Sequence, residues 1–263
     1  DAVLLDRYNE VIHSLRVDAH GRRLEWIRLS DISPAMVRIT LQVEDRRFYD
    51  HRGIDWLALT SATYENLSRK SWRGASTITM QLASILDKSL KPRRGSRRGL
   101  LQKWKQIKAA VALEKQWTKN QILEAYLNLI SFRGELAGIY AASRGLFDKE
   151  PNGLTEIESC ILASLITSPN SSAEGIIKRA CRIGSPVSCD AIREIAYRTL
   201  THPYKIRSDI SIAPHVARML LTKGKKEVRC TLDGNLQRYV YASLNEAIRL
   251  LEKRNVFDGA ALV

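Results

Sequence analysis

The chain has 263 residues, 44% hydrophobic and 27% charged, enough for a buried core in one large domain or two small ones; this excludes a chain too polar to fold. Lys and Arg number 42 against 28 Asp and Glu, a net charge of +14, so a polyanionic partner is expected: nucleic acid, an anionic membrane surface or a phosphorylated substrate. The four cysteines form no CxxC pair and no zinc-like spacing with histidine, and no run approaches the ~20 apolar residues that span a bilayer.

Residues 2–29 read as short strands with turns at Tyr8-Asn9-Glu10 and Ala19-His20-Gly21-Arg22. Ser33-Pro34 then supplies an N-cap and a proline at the first helical position. Met36, Val37, Ile39, Leu41 and Val43 carry an apolar helix into Glu44-Asp45. If that helix continues, Glu44, Phe48 and His51 share one face. A carboxylate beside an aromatic ring is shielded from water, which raises its pKa and suits it to proton transfer. A solvated helix end with a satisfied histidine is the plainer alternative.

A second helix is expected from Ile54, Leu57, Ala58, Ser61, Tyr64 and Leu67. Gly74 to Leu82 forms a glycine-led polar turn entering a helix, which could hold a phosphate or sugar or simply cap the helix. Residues 88–99 carry six basic residues with Pro92, Gly95 and Gly99, the composition of a mobile cationic loop. Leu100, Trp104, Ile107, Val111 and Leu113 predict a long helix, opened by the basic Lys103-Trp104-Lys105-Gln106. Thr118 caps the next, with Ile122, Leu123, Tyr126 and Leu127 as its buried stripe. Thr155 to Glu158 is a capping box opening an apolar helix through Thr167. Cys160 within it reads as a buried thiol, while Cys181 and Cys189 could close a short surface loop. After a break at residues 222–227, Val228 to Asp233 reads as a strand. A helix with Leu236, Val240, Leu244, Ile248 and Leu251 follows. The chain begins without Met and stops inside Ala260-Ala261-Leu262-Val263, so it is expected to be a piece of a longer protein.

The order and spacing of these motifs resemble glycosyltransferase family 51, the peptidoglycan glycosyltransferases, found alone and as the N-terminal part of class A penicillin-binding proteins. The resemblance rests on Glu44, Asp45, Phe48, His51 and Gly53; on Gly74, Ser76, Thr77, Ile78 and Gln81; and on the unbroken Ile122-Leu123-Glu124-Ala125-Tyr126-Leu127-Asn128. Gly138, Ala141-Ala142 and the stretch from Leu154 to Pro169 agree. It covers roughly residues 30–220. Met80, Ser84 and Gln106 depart from the pattern: they stand where relatives have Gln, often Lys or Arg, and a second catalytic Glu. Met80 and Gln106 look like the penicillin-binding protein 1C branch. No Ser-x-x-Lys or Lys-Thr-Gly of a transpeptidase occurs.

The resemblance implies a mainly α, lysozyme-like glycosyltransferase domain at 30–222 with a small membrane-facing jaw lobe. N-terminal strands at 1–29 precede it, and the linker and start of a transpeptidase-type domain occupy 223–263. It implies polymerisation of lipid II into glycan strands with release of undecaprenyl pyrophosphate. Glu44 would be the general base, with Asp45 and Gln106 beside it as catalytic residues. Phe48, His51, Gly74, Ser76, Thr77, Gln81, Lys103 and Asn128 would bind substrate. Lys105, Lys108, the arginines of 93–98 and Lys178, Arg179 and Arg182 are further cationic candidates. Trp56, Leu57 and Leu59 would touch lipid, with core packing as their alternative. Mg²⁺ is put in doubt by Gln106, whose neutral amide is a poor ligand for it. The implied partners are lipid II, the nascent glycan strand, the anionic inner membrane on its periplasmic face and a downstream transpeptidase domain, without nucleic acid. The N-terminal membrane anchor would lie outside this sequence. A lysozyme-like hydrolase and a catalytically weakened lipid II-binding scaffold are the competing readings.

Overall fold

The computed structural model describes residues 2–15, 21–67, 76–90, 100–184, 188–202, 212–221, 227–251 and 259. The turn expected at 19–22, the cationic loop beyond residue 90, Gly74 and the break at 222–226 therefore lie wholly or partly outside the described residues. The fold is mainly helical. It divides into two units, Asp1–Arg22 with Arg207–Val263, and Arg23–Ile206.

In the first unit β1 (Ala2–Leu5) pairs antiparallel with β2 (Val11–Leu15) and parallel with β5 (Glu227–Arg229), giving the order β2-β1-β5. The two flanks, expected as separate segments, thus share one sheet. The Asp6 carboxylate shapes the turn after β1 by accepting from the Tyr8, Glu10 and Gly234 amides. Leu4 and Ile12 bury against Ala213, Ala217 and Leu221, the last three in or beside α10 (Pro214–Leu220). The amphipathic pattern at the C-terminus forms α11 (Gly234–Leu251).

The second unit is built round α7 (Glu156–Thr167), whose Cys160, Ile161, Leu162, Ala163, Leu165 and Ile166 are all buried. Such a continuous apolar run can only be a central element, and each large side chain removed from water contributes about 1.5–3 kcal/mol. The expected capping box at Thr155 and Glu158 closes its N-terminus. Against it lie α1 (Pro34–Glu44), α8 (Ala173–Ile183) and α9 (Cys189–Leu200). A disulfide between Cys181 and Cys189 ties the end of α8 to the start of α9. Cys160 is a buried free thiol; burial and the Glu156 carboxylate push it up to about 11.

The remaining helices are α2 (Trp56–Leu67), α3 (Ile78–Leu86), α4 (Leu100–Gln116), α5 (Lys119–Leu129) and α6 (Ile139–Phe147). A hairpin of β3 (Ser131–Arg133) and β4 (Leu136–Ala137) joins α5 to α6 and was not expected. It is too short for an alternating pattern to show, although Phe132 and Leu136 are fully buried. Residues 23–28 are irregular rather than a strand. Ser33 caps α1 through its backbone alone, because its hydroxyl donates to the Leu154 carbonyl instead.

Candidate active site

Helix α1 stops at Glu44 because Asp45 leaves helical geometry, at φ −161° and ψ 76°. Its carboxylate turns inward, accepts the Ile78 amide at 3.0 Å and lies 3.0 Å from His51 Nε2. Phe48 to Asp50 then form a 3₁₀ turn. Glu44, Phe48 and His51 are therefore not one helical face; His51 and the remote Ile78 amide engage Asp45 in place of another helical turn.

Phe48 and His51 face the interior. Phe48 is buried edge-on to His51, with the Lys119 ammonium 4.5 Å from its ring centre. His51 is buried behind Asp45, and its Nδ1 has no partner. Both side chains back Asp45 from the interior. Gly53 follows with φ +84°, and a Cβ there would lie 2.9 Å from the Ala110 carbonyl carbon, so glycine lets this loop rest on α4. The Gly53 carbonyl accepts from the Thr77 hydroxyl at 2.7 Å, and the same hydroxyl caps α3 by accepting the Met80 amide. The first two motifs are thus fastened together by the capping reading of Thr77.

Glu44 faces a cleft of about 1730 Å³, which Asp45, Arg46, Gln81, Thr167 and Arg182 also line. Its Oε2 accepts from Gln81 Nε2 at 2.7 Å and its Oε1 from the Thr167 hydroxyl at 2.9 Å. Gln81 Oε1 in turn accepts from the Tyr126 hydroxyl at 3.0 Å. Burial first, then the negative charges of Glu44 and Asp45, push the Tyr126 hydroxyl well above its ordinary range. It stays protonated and donates, which fixes the Gln81 amide with its NH₂ toward Glu44. Sequence reasoning read Tyr126 as core and Thr167 only as a helix end. The signal available was a polar tip on each, at the end of an otherwise apolar stripe.

Cations gather on the same cleft. Arg46, Arg47, Arg179 and Arg182 line it; Arg47 pairs with Asp55 at 3.5 Å, and Arg179 donates to the Ser164 carbonyl at 2.9 Å. Lys178 is exposed on α8. Lys103 Nζ donates to Ser76 Oγ at 2.6 Å, and Ser76 with Thr77 lines the cleft. Leu57 lines it as well and is largely exposed, like Trp56; Leu59 is half-buried.

Two expected site residues belong to the scaffold. Asn128 Oδ1 accepts the Ile27 amide, and its Nδ2 donates to the carbonyls of Ile27 and Glu124. With Glu124, which accepts from Trp26 and the Leu29 amide, it docks the irregular segment before α1. Gln106 is fully buried between α3 and α4, where its Nε2 donates to the Met80 carbonyl and to Ser84 Oγ, each at 2.8 Å. It is fully buried and does not line the cleft. The three departures from the family pattern thus form one interior cluster. Among the described residues no group of three or more His, Cys, Asp and Glu side chains could hold a metal ion. Gln106, where the family resemblance expects an acid, is turned inward.

A family model described as transglycosylase matches residues 8–185 of this chain. Penicillin-binding protein 2D of Bacillus subtilis is 35% identical over 156 residues, covering 57% of this chain and 21% of that protein. A biosynthetic peptidoglycan transglycosylase of Mannheimia succiniciproducens is 37% identical over 161 residues, 61% of this chain and 64% of the relative. Penicillin-binding protein 1A of Clostridium tetani is 32% identical over 176 residues, 64% of this chain and 21% of its own length. The chain therefore spans between a fifth and just under two thirds of these relatives.

Proposed function

The chain belongs to the transglycosylase family, and from that premise we propose that it is a peptidoglycan glycosyltransferase polymerising lipid II, with Glu44 as general base. The observation that carries this reading is the setting of Glu44: a carboxylate on the cleft, oriented by Gln81 and Thr167, with Asp45 committed to His51 and Ile78. A sugar hydroxyl has a pKa far above 7, so attack needs a base as the new bond forms. The acceptor 4-hydroxyl gives its proton to Glu44 while its oxygen bonds the anomeric carbon of the growing strand. The bond from that carbon to the pyrophosphate oxygen breaks, and undecaprenyl pyrophosphate leaves with the electron pair. Arg46, Arg179 and Arg182, with Lys103 beyond Ser76, supply charge for the leaving anion.

The cleft favours transfer over lysozyme-type hydrolysis. Most glycoside hydrolases use a second working carboxylate across the bond, whereas Asp45 is bound to His51 and Asp55 to Arg47. We place the working enzyme at the periplasmic face of the bacterial inner membrane, where the +14 charge suits an anionic leaflet and exposed Trp56 and Leu57 meet lipid. In the whole protein a transpeptidase domain follows. The test is product analysis with lipid II: polymer and undecaprenyl pyrophosphate are expected. Reducing ends released from finished glycan, with no polymer from lipid II, would replace this reading with a hydrolase.

A further inference from the structure

We propose that Thr167 is a positioning residue that lets Glu44 hold the transferred proton on Oε1, by reversing its own hydrogen bond as Glu44 changes protonation state. The inference rests on the reading of Glu44 as base. It is carried by an asymmetry between the two carboxylate oxygens. Oε2 faces the Gln81 NH₂ at 2.7 Å, and that amide cannot turn over, because its oxygen receives the Tyr126 hydroxyl. An NH₂ group only donates. Were the proton to settle on Oε2, that oxygen would become a hydroxyl, a weaker acceptor, opposite a donor with no alternative.

Oε1 has a different neighbour. The Thr167 hydroxyl lies 2.9 Å from it and 3.3 Å from the Ala163 carbonyl one helical turn back. A hydroxyl both donates and accepts. While Glu44 is ionised, Thr167 donates to Oε1. Once Oε1 carries the proton, Glu44 donates to Thr167 Oγ1, and the hydroxyl hydrogen swings to the Ala163 carbonyl. Both protonation states of Glu44 are then fully bonded without movement of any heavy atom. Oε2 meanwhile keeps its carbonyl character and its bond to Gln81. Before the next turnover the proton leaves Oε1 for solvent in the open cleft, and Thr167 turns back.

The experiment measures polymerisation of lipid II by the chain and by Thr167→Ser, Thr167→Ala and Thr167→Val, with Glu44→Gln as control. Thr167 is exposed at the end of α7, so all variants should melt with the parent. Serine keeps the hydroxyl and should keep kcat within about twofold. Valine fills the same space with a methyl that neither donates nor accepts, so kcat should fall about tenfold, as for the loss of one bond to a charged group, with KM nearly unchanged. Alanine leaves room for a water molecule and should fall between them. Equal kcat for valine and parent, or a change confined to KM, would overturn the role of Thr167 while an inactive Glu44→Gln leaves the base assignment standing. An active Glu44→Gln would remove both.

Discussion

Glu44 sits where three side chains remote in sequence converge. Gln81 and Thr167 each take one of its oxygens, and Tyr126 fixes Gln81 from behind. Tyr126→Phe leaves the core shape intact but frees the Gln81 amide to rotate. It should lower kcat severalfold and stability by about 1 kcal/mol, the net worth of one hydrogen bond, read from steady-state kinetics and urea melts. An unchanged kcat would mean that Gln81 needs no orientation. The acid itself was legible, as a carboxylate at the end of an apolar helix in a recognisable run. Its neighbours were not, because Thr167 lies 123 residues away and nothing in local spacing links them. Nor does motif membership reveal that the Asn128 amide is bonded to Ile27 and the Glu124 carbonyl.

Among the elements, α3 and α4 carry the family's departures as a matched set. Ser84 donates to the Met80 carbonyl, and Gln106 donates to both, so neutral groups fill a place where relatives are expected to have a cation and an acid. Gln106→Glu would put a charge in a fully buried position without a counter-ion. It should cost about 3 kcal/mol, seen as a lower melting temperature at neutral pH. Adding Ser84→Lys should recover part of the loss; a single variant as stable as the parent would contradict the burial argument. At α8 and α9 the disulfide joins cysteines eight positions apart. Its removal in Cys181→Ser/Cys189→Ser should cost roughly 2–3 kcal/mol through the freed unfolded chain, checked by thermal melts with and without reductant. Helices α1 to α5, α7 and α11 were readable because their apolar stripes and caps are local; α6, α8, α9 and α10 were not singled out. The end of α1 was misread because one group that holds Asp45 there, the Ile78 amide, lies 33 residues away.

The whole molecule combines a large positive charge with an apolar rim on its cleft. Binding to vesicles should require anionic lipid and weaken as salt rises, because exposed charges are screened beyond about 10 Å at 0.1 M. Trp56→Ala with Leu57→Ser should weaken it further without changing the melting temperature; equal binding to neutral vesicles would deny the electrostatic share. Fold class and family could be read from the chain at this scale. The joining of both flanks in one sheet could not, since β1 and β5 lie more than 200 residues apart and each is only three or four residues long. The central claim is that one cleft carboxylate, Glu44, accepts the proton of the attacking hydroxyl. It is tested most directly by the rate of strand synthesis from lipid II in Glu44→Gln, whose amide keeps the size and the bond from Gln81. The expected result is a loss of at least about a hundredfold with lipid II still bound; strand synthesis near the parent rate would contradict the account.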